Sequence, residues 1–249
     1  MQTRKISDSV AFVTGANRGI GRAITEALLE RGVQKVYAAV RDTGTVGDLV
    51  GRYGDRVVPL ALDVTDAAQV AATAAVARDT TLLVNNAGVA LGGDLVSGDI
   101  VANARQEMEV NYFAPLEILQ SFAPILKTNG GGGVVNMSSI AGLSNFAILA
   151  TYSASKAAVH SLTQATRALL AAQNTAVFGV YPGPVDTDMA KGIDMEKTSP
   201  QHVANAILDG VEAGTTDIYP DPFAEGFGEQ FEDSPRAVEK QLAGMVQQG

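Results

Sequence analysis

The sequence predicts an α/β protein built on a doubly wound parallel β-sheet with helices on both faces. Two observations carry this. Short runs rich in β-branched residues alternate with longer helical stretches along the chain, and such alternation builds a parallel sheet because each crossover is a helix. The runs are apolar at nearly every position, as in strands buried on both faces.

The elements follow in order. Strands are expected at residues 10–14, 35–40, 57–62, 81–84, 133–138, 175–181 and 217–219. Helices are expected at 19–31, 45–52, 66–78, 99–127, 152–172 and 200–213. Ser199-Pro200 reads as an N-cap followed by proline at the first helical position. Asn129 and the glycines at 130–133 end the long helix. Residues 220–235, with Pro222, Gly226, Gly228 and the acids Glu225, Glu229, Glu232 and Asp233 among them, are expected as a mobile acidic loop, followed by a last helix from about 236 to 246. No internal repeat is evident.

Composition narrows the function. The chain has 249 residues, 46% of them hydrophobic, enough for one domain with a large core. A net charge of −9 disfavours binding to phosphate backbones of nucleic acids. There is no cysteine, which excludes disulfides and thiolate chemistry, and the two histidines, His160 and His202, lack metal-ligand spacing. No metal is expected. No run approaches the roughly 20 apolar residues of a membrane span, and the start of the chain lacks the apolar core of a secretory signal. A cytoplasmic protein without membrane or nucleic-acid partners is expected.

Two motifs carry chemistry. After the first strand comes Gly15-Ala16-Asn17-Arg18-Gly19-Ile20-Gly21. Glycines there allow a tight turn and let backbone N–H groups approach a pyrophosphate at a helix N-terminus. Where NAD enzymes place an acid about 20 residues further on, this chain has Val40-Arg41. A guanidinium at Arg41, with Arg18 as a second candidate, suits a 2′-phosphate, so NADP(H) is expected over NAD(H). Asp42 is the counter-indication. The second motif is Tyr152-Ser153-Ala154-Ser155-Lys156, with Ser139 upstream. Residues i and i+4 share a helix face, and a nearby cation lowers the pKa of a phenol. Tyr152 and Lys156 can therefore support acid–base chemistry.

Together these residues resemble the short-chain dehydrogenase/reductase superfamily. The resemblance runs from about residue 9 to 220 and takes in the glycine turn, Leu62-Asp63-Val64, Asn85-Asn86-Ala87-Gly88, Asn111, Ser138-Ser139, Tyr152 to Lys156, and Pro182-Gly183-Pro184-Val185-Asp186-Thr187. It implies a Rossmann-type fold in a single domain. It implies Tyr152 as proton donor to a carbonyl oxygen, Lys156 tuning it and bonding the nicotinamide ribose, and Ser139 contacting the substrate oxygen. Asn111 resembles the residue that holds a water linking the lysine to solvent. Gly15, Asn17, Gly19, Ile20, Gly21, Asp63, Val64, Asn86, Ala87, Gly88, Pro182 and Gly183 would line the cofactor, and Val185 and Thr187 would bind the carboxamide. Members pair through the helices bearing Asn111 and Tyr152, so a homodimer or homotetramer is expected.

By the same analogy, Leu91, Phe146, Leu149 and Met189 would form the substrate pocket, with Ile193 as cover. These segments are mainly apolar, and only Lys191 offers a cation. The expected function is reversible NADPH-dependent reduction of an uncharged, rather hydrophobic ketone or aldehyde. An NAD-linked secondary-alcohol dehydrogenase is the alternative enzyme. A nucleotide-sensing regulatory protein is the alternative of another class.

Overall fold

The protein is described by a computed structural model covering residues 5–93, 95–96, 100–192 and 194–246. Ile193 lies outside the described residues.

Seven strands form one sheet: β1 (Val10–Thr14), β2 (Lys35–Val40), β3 (Val57–Ala61), β4 (Leu82–Asn85), β5 (Gly132–Met137), β6 (Thr175–Val180) and β7 (Asp217–Ile218). Their spatial order is β3-β2-β1-β4-β5-β6-β7. Every pairing is parallel, as the sequence predicts. The order reverses between β1 and β4, which opens a crevice at the carboxyl ends of these strands.

Alternate residues of each strand enter opposite cores. Ala11 and Val13 of β1 pack with α1 (Gly19–Glu30), α2 (Gly47–Tyr53) and α7 (Pro200–Ala213) through residues such as Ile24, Leu28, Leu49 and Ile207. Val10 and Phe12 pack on the other face with α3 (Ala67–Val76), α5 (Ala114–Thr128) and α6 (Ala150–Leu170) through Val70, Ile118, Phe122 and Leu170. Among the described residues no helix is long and apolar enough to cross a membrane.

Two elements differ from expectation. The single long helix at 99–127 is instead α4 (Ile100–Met108), a π-helical turn (Glu109–Phe113) and α5. Pro115 explains the break. It has no N–H to donate to the carbonyl of Asn111 four residues earlier, and the N–H of Ala114 reaches Glu109 instead. The ladder widens by one residue at Asn111, and such bulges often sit at functional positions.

The expected acidic loop at 220–235 is mostly helix: α8 (Pro222–Asp233), followed by α9 (Pro235–Val246). Asp221 caps α8 by accepting from the Ala224 N–H, with Pro222 in the first turn. Phe223, Phe227 and Phe231 recur every four residues, the helical period that the glycines masked. Gly228 is required by packing, since a Cβ there would come 2.7 Å from the ring of Tyr219. Phe227, Val238 and Leu242 join Ile140 and Tyr181 in a third apolar cluster beside the sheet's carboxyl end.

Candidate active site

The crevice between β1 and β4 opens into a cleft of about 1130 Å³. Its first part is held by Thr14. The Thr14 hydroxyl accepts from the N–H groups of Asn86 (2.9 Å) and Ala87 (3.0 Å), and the Asn86 amide donates to the Thr14 carbonyl (2.9 Å). The two strand ends are thus fastened to each other with the glycine turn between them. Gly15 and Gly19 have φ of 66° and 53°, which disfavours any other residue. A Cβ on Gly15 would press Asn86 Nδ2 at 3.1 Å, and one on Gly19 would press Thr187 Cγ2 at 3.2 Å. A Cβ on Gly21 would collide with Asn86 and the Gly15 carbonyl. No side chain caps the start of α1, so its N–H groups face the cleft as an anion cradle.

The structure brings the expected cofactor residues together along this cleft: Gly15, Asn17 to Gly21, Arg41, Asp63, Val64, Asn86 to Gly88, Pro182, Gly183, Val185 and Thr187. Hydrogen bonds from the Thr65 backbone and hydroxyl hold the Asp63 carboxyl below its ordinary range. Arg18 spans to Asp188 at 3.2 Å instead of standing free. Arg41 is exposed and makes no ion pair among the described residues. Asp42, the counter-indication, accepts from the Gly44 N–H at 2.9 Å and caps the turn after β2.

At the far end stand Ser139, Tyr152 and Lys156. Residues 152 and 156 share one face of α6, and β5 delivers the two serines. The Ser138 hydroxyl turns into the protein and donates to the Lys156 carbonyl at 2.9 Å. Ser139 Oγ accepts from the Ala141 N–H at 3.1 Å and hydrogen-bonds the Tyr152 phenol. Lys156 is 5% exposed and donates from Nζ to the Met137 carbonyl at 2.7 Å, with Nζ 5.7 Å from the centre of the Tyr152 ring.

This geometry corrects one expectation. The phenol's pKa is raised, where a lowering was expected. Burial pushes Tyr152 up to about 12; the Ser139 hydrogen bond opposes this and the Glu107 charge adds to it. Burial likewise brings Lys156 down to about 8. Desolvation disfavours the charged form of both groups.

Asn111 is more deeply buried still. It is 2% exposed and lies behind the cleft wall. Its amide exchanges hydrogen bonds with the Val89 backbone, both at 2.9 Å, and donates to Ser155 Oγ at 2.8 Å. The side chain therefore holds the strand-β4 loop against α6, and the group left without its usual helical partner is the Asn111 carbonyl. Gly88 lies between the two: a Cβ there would be 3.1 Å from Asn111 Oδ1 and 3.5 Å from Lys156 Nζ.

On the substrate side, Phe146, Leu149 and Met189 line the cleft and Leu91 does not. Leu91 is 41% exposed, its N–H drawn to the buried Glu107 carboxylate at 2.8 Å, which aims the side chain elsewhere. Lys191 is also outside the cleft and pairs with Asp188 at 2.6 Å. Sequence reasoning missed Arg105 and Gln106 of α4, Glu109 of the π turn, and Phe223 of α8. The four-residue phenylalanine spacing was the available signal for Phe223. Nothing local marks the α4 residues.

Residues 9–198 match the family described as short chain dehydrogenase. The chain belongs to this family. Among the solved structures similar to this short chain dehydrogenase is one from Burkholderia cenocepacia in complex with NADP. It is 39% identical, has a TM-score of 0.90, and the alignment covers 96% of this chain and 99% of that one. A short-chain dehydrogenase from Streptomyces avermitilis is 28% identical with a TM-score of 0.85, covering 97% and 98%. An uncharacterized oxidoreductase of Staphylococcus saprophyticus is 32% identical over 215 residues, 82% of this chain and 91% of that protein. The protein is thus an oxidoreductase of a nicotinamide-dependent family. Its α8 and α9 lie beyond the residues that match the family model.

Proposed function

We propose that the protein reduces an uncharged, rather hydrophobic ketone or aldehyde with NADPH, and runs in reverse as an alcohol dehydrogenase. The observation that carries this is the far end of the cleft. Phe146, Ile148, Leu149, Met189, Met195 and Phe223 line the same cleft as Tyr152 and Ser139. Ile148 is 75% exposed and Phe223 43%, and an exposed apolar rim on a cleft suits an apolar ligand.

The glycine turn and the start of α1 would hold the pyrophosphate, and Pro182 to Thr187 the nicotinamide. Bound there, the cofactor supplies a hydride. Tyr152, protonated at neutral pH because burial holds its pKa near 12, donates a proton to the developing alkoxide. Ser139 places a second hydroxyl at the same oxygen, where charge develops. Lys156 keeps a buried cation beside the phenol. The water-linking role expected of Asn111 is assigned to its carbonyl at the π turn.

The preference for NADPH is supported by the exposed Arg41, which makes no ion pair among the described residues, and by the engagement of Asp42 in its own turn. Arg41→Glu is expected to lower kcat/KM for NADPH by about 10–100-fold, the range of a lost charge-assisted pair, while NADH is spared. Equal loss with both nucleotides would contradict the assignment.

The reaction itself is tested by NADPH oxidation against a panel of alkyl ketones, aryl ketones, aldehydes and short keto acids. Uncharged apolar carbonyls are expected to lead, and a preference for keto acids would overturn the reading. Phe223→Ala is expected to raise KM for the best ketone by about tenfold, with NADPH binding unchanged by fluorescence titration.

A further inference from the structure

Pro182 and Gly183 share one peptide plane, and both of its ends are engaged. The Pro182 carbonyl accepts from the Ile140 N–H at 3.2 Å, and Ser139 Oγ lies 3.4 Å from it, a long donation. The Gly183 N–H donates to Asp221 Oδ2 at 2.8 Å. Asp221 is 1% exposed, and its other oxygen accepts from the Ala224 N–H at 2.9 Å. One buried carboxylate therefore bonds both the start of α8 and the peptide that backs Ser139. The fit is tight. A Cβ on Gly183 would lie 2.8 Å from Asp221 Oδ1 and 3.1 Å from Phe223 Cδ1.

We propose that Asp221 is a positioning residue which, through the single Pro182–Gly183 peptide, sets the Ser139 hydroxyl, the turn facing the nicotinamide and the Phe223 wall as one unit. A negative charge on the N–H side polarises the peptide and strengthens its carbonyl as an acceptor. That fixes the plane, and the plane fixes where Ser139 and the turn sit. Asp221 touches neither substrate nor cofactor in this arrangement. The acidic segment that carries it thereby gains a role: it joins substrate wall to cofactor turn. The proposal rests on the reading that this turn receives the nicotinamide half.

Asp221→Asn provides the test. Asparagine caps helices as well as aspartate does, but it removes the charge and can turn an N–H₂ group toward the Gly183 N–H. Two affinities are compared in the full-length protein: NADPH, and 2′-phospho-ADP-ribose, which lacks the nicotinamide. The variant is expected to bind NADPH more weakly by about tenfold and the fragment within about twofold of wild type. With the best ketone of the panel, Ser139→Ala is expected to cost less kcat in the Asp221→Asn background than in wild type, because the two act through one peptide. Asp221→Ser, which keeps a helix cap but cannot span to Gly183, is expected to show the same split between ligands. Equal weakening of both ligands, no weakening of either, or additive effects with Ser139→Ala would overturn the proposal while leaving the function intact. Wild-type protein that binds the fragment as tightly as NADPH would overturn the functional reading, and this proposal with it.

Discussion

Replacing Tyr152 by Phe is expected to lower kcat by about a thousandfold, the middle of the range for a general acid. The ring keeps its place against Lys156, so NADPH affinity is expected to change little. Only the proton and one hydrogen bond to the developing alkoxide are lost. Single-turnover kinetics with saturating NADPH check this, and a kcat within a few-fold of wild type would remove Tyr152 from the reaction. The pH behaviour follows from the same phenol. With its pKa pushed up to about 12 by burial, Tyr152 carries its proton throughout the neutral range. Ketone reduction is expected to be flat from pH 6 to 8. Alcohol oxidation needs the phenolate and is expected to rise with pH over the same interval. A reversed pair of profiles would mean that another group moves the proton.

The second large effect concerns Lys156. Burial brings its pKa from 10.5 to about 8, which corresponds to roughly 3 kcal/mol of penalty for the buried cation at neutral pH. Below pH 8 both folded and unfolded chains bind this proton, and the penalty is complete. Between pH 8 and 10.5 the unfolded chain keeps the proton while the folded one loses it, so stability recovers as pH rises. Lys156→Met removes the cation at similar length. It also removes the 2.7 Å hydrogen bond to the Met137 carbonyl, which costs about 1 kcal/mol. The net gain of about 2 kcal/mol is expected to raise the Tm of the nucleotide-free protein by about 4–8 °C at pH 7. The advantage is expected to shrink toward pH 10, and turnover to be lost. Calorimetry at the two pH values tests it. A lower Tm at pH 7 would show that the ammonium is held by favourable interactions and not at a cost. An active site that spends stability on an uncomfortable charge is a known trade-off.

Much of this was legible from the chain because the signals are local. A strand such as 10–14, buried on both faces, must be apolar throughout. A glycine turn must use glycine where φ is positive, as at Gly15 and Gly19. Tyr152 and Lys156 lie on one helical turn whatever surrounds them. The parallel sheet and the cofactor cleft were therefore predictable. Helix α8 was not, because Gly226 and Gly228 weaken helical propensity, whereas α9 matches the last helix expected from about 236 to 246. Helix α8 is held by packing Phe227, together with Val238 and Leu242 of α9, against Ile140 and Tyr181, partners distant in sequence. The π turn was missed although Pro115 announces it, because the apolar pattern runs on across the break.

By itself, then, the sequence determined the fold class, the nucleotide cradle and the identity of the chemical groups, each of which depends on residues a few positions apart. Tertiary structure alone decided how those groups are tuned and enclosed. It packed protein around Tyr152 and Lys156, so that desolvation set the direction of both pKa shifts. It turned Leu91 away and brought Phe223 in. It also set Asp221 against Gly183, 38 positions away. Burial and long-range hydrogen bonds depend on which surfaces meet, and no local pattern encodes that meeting.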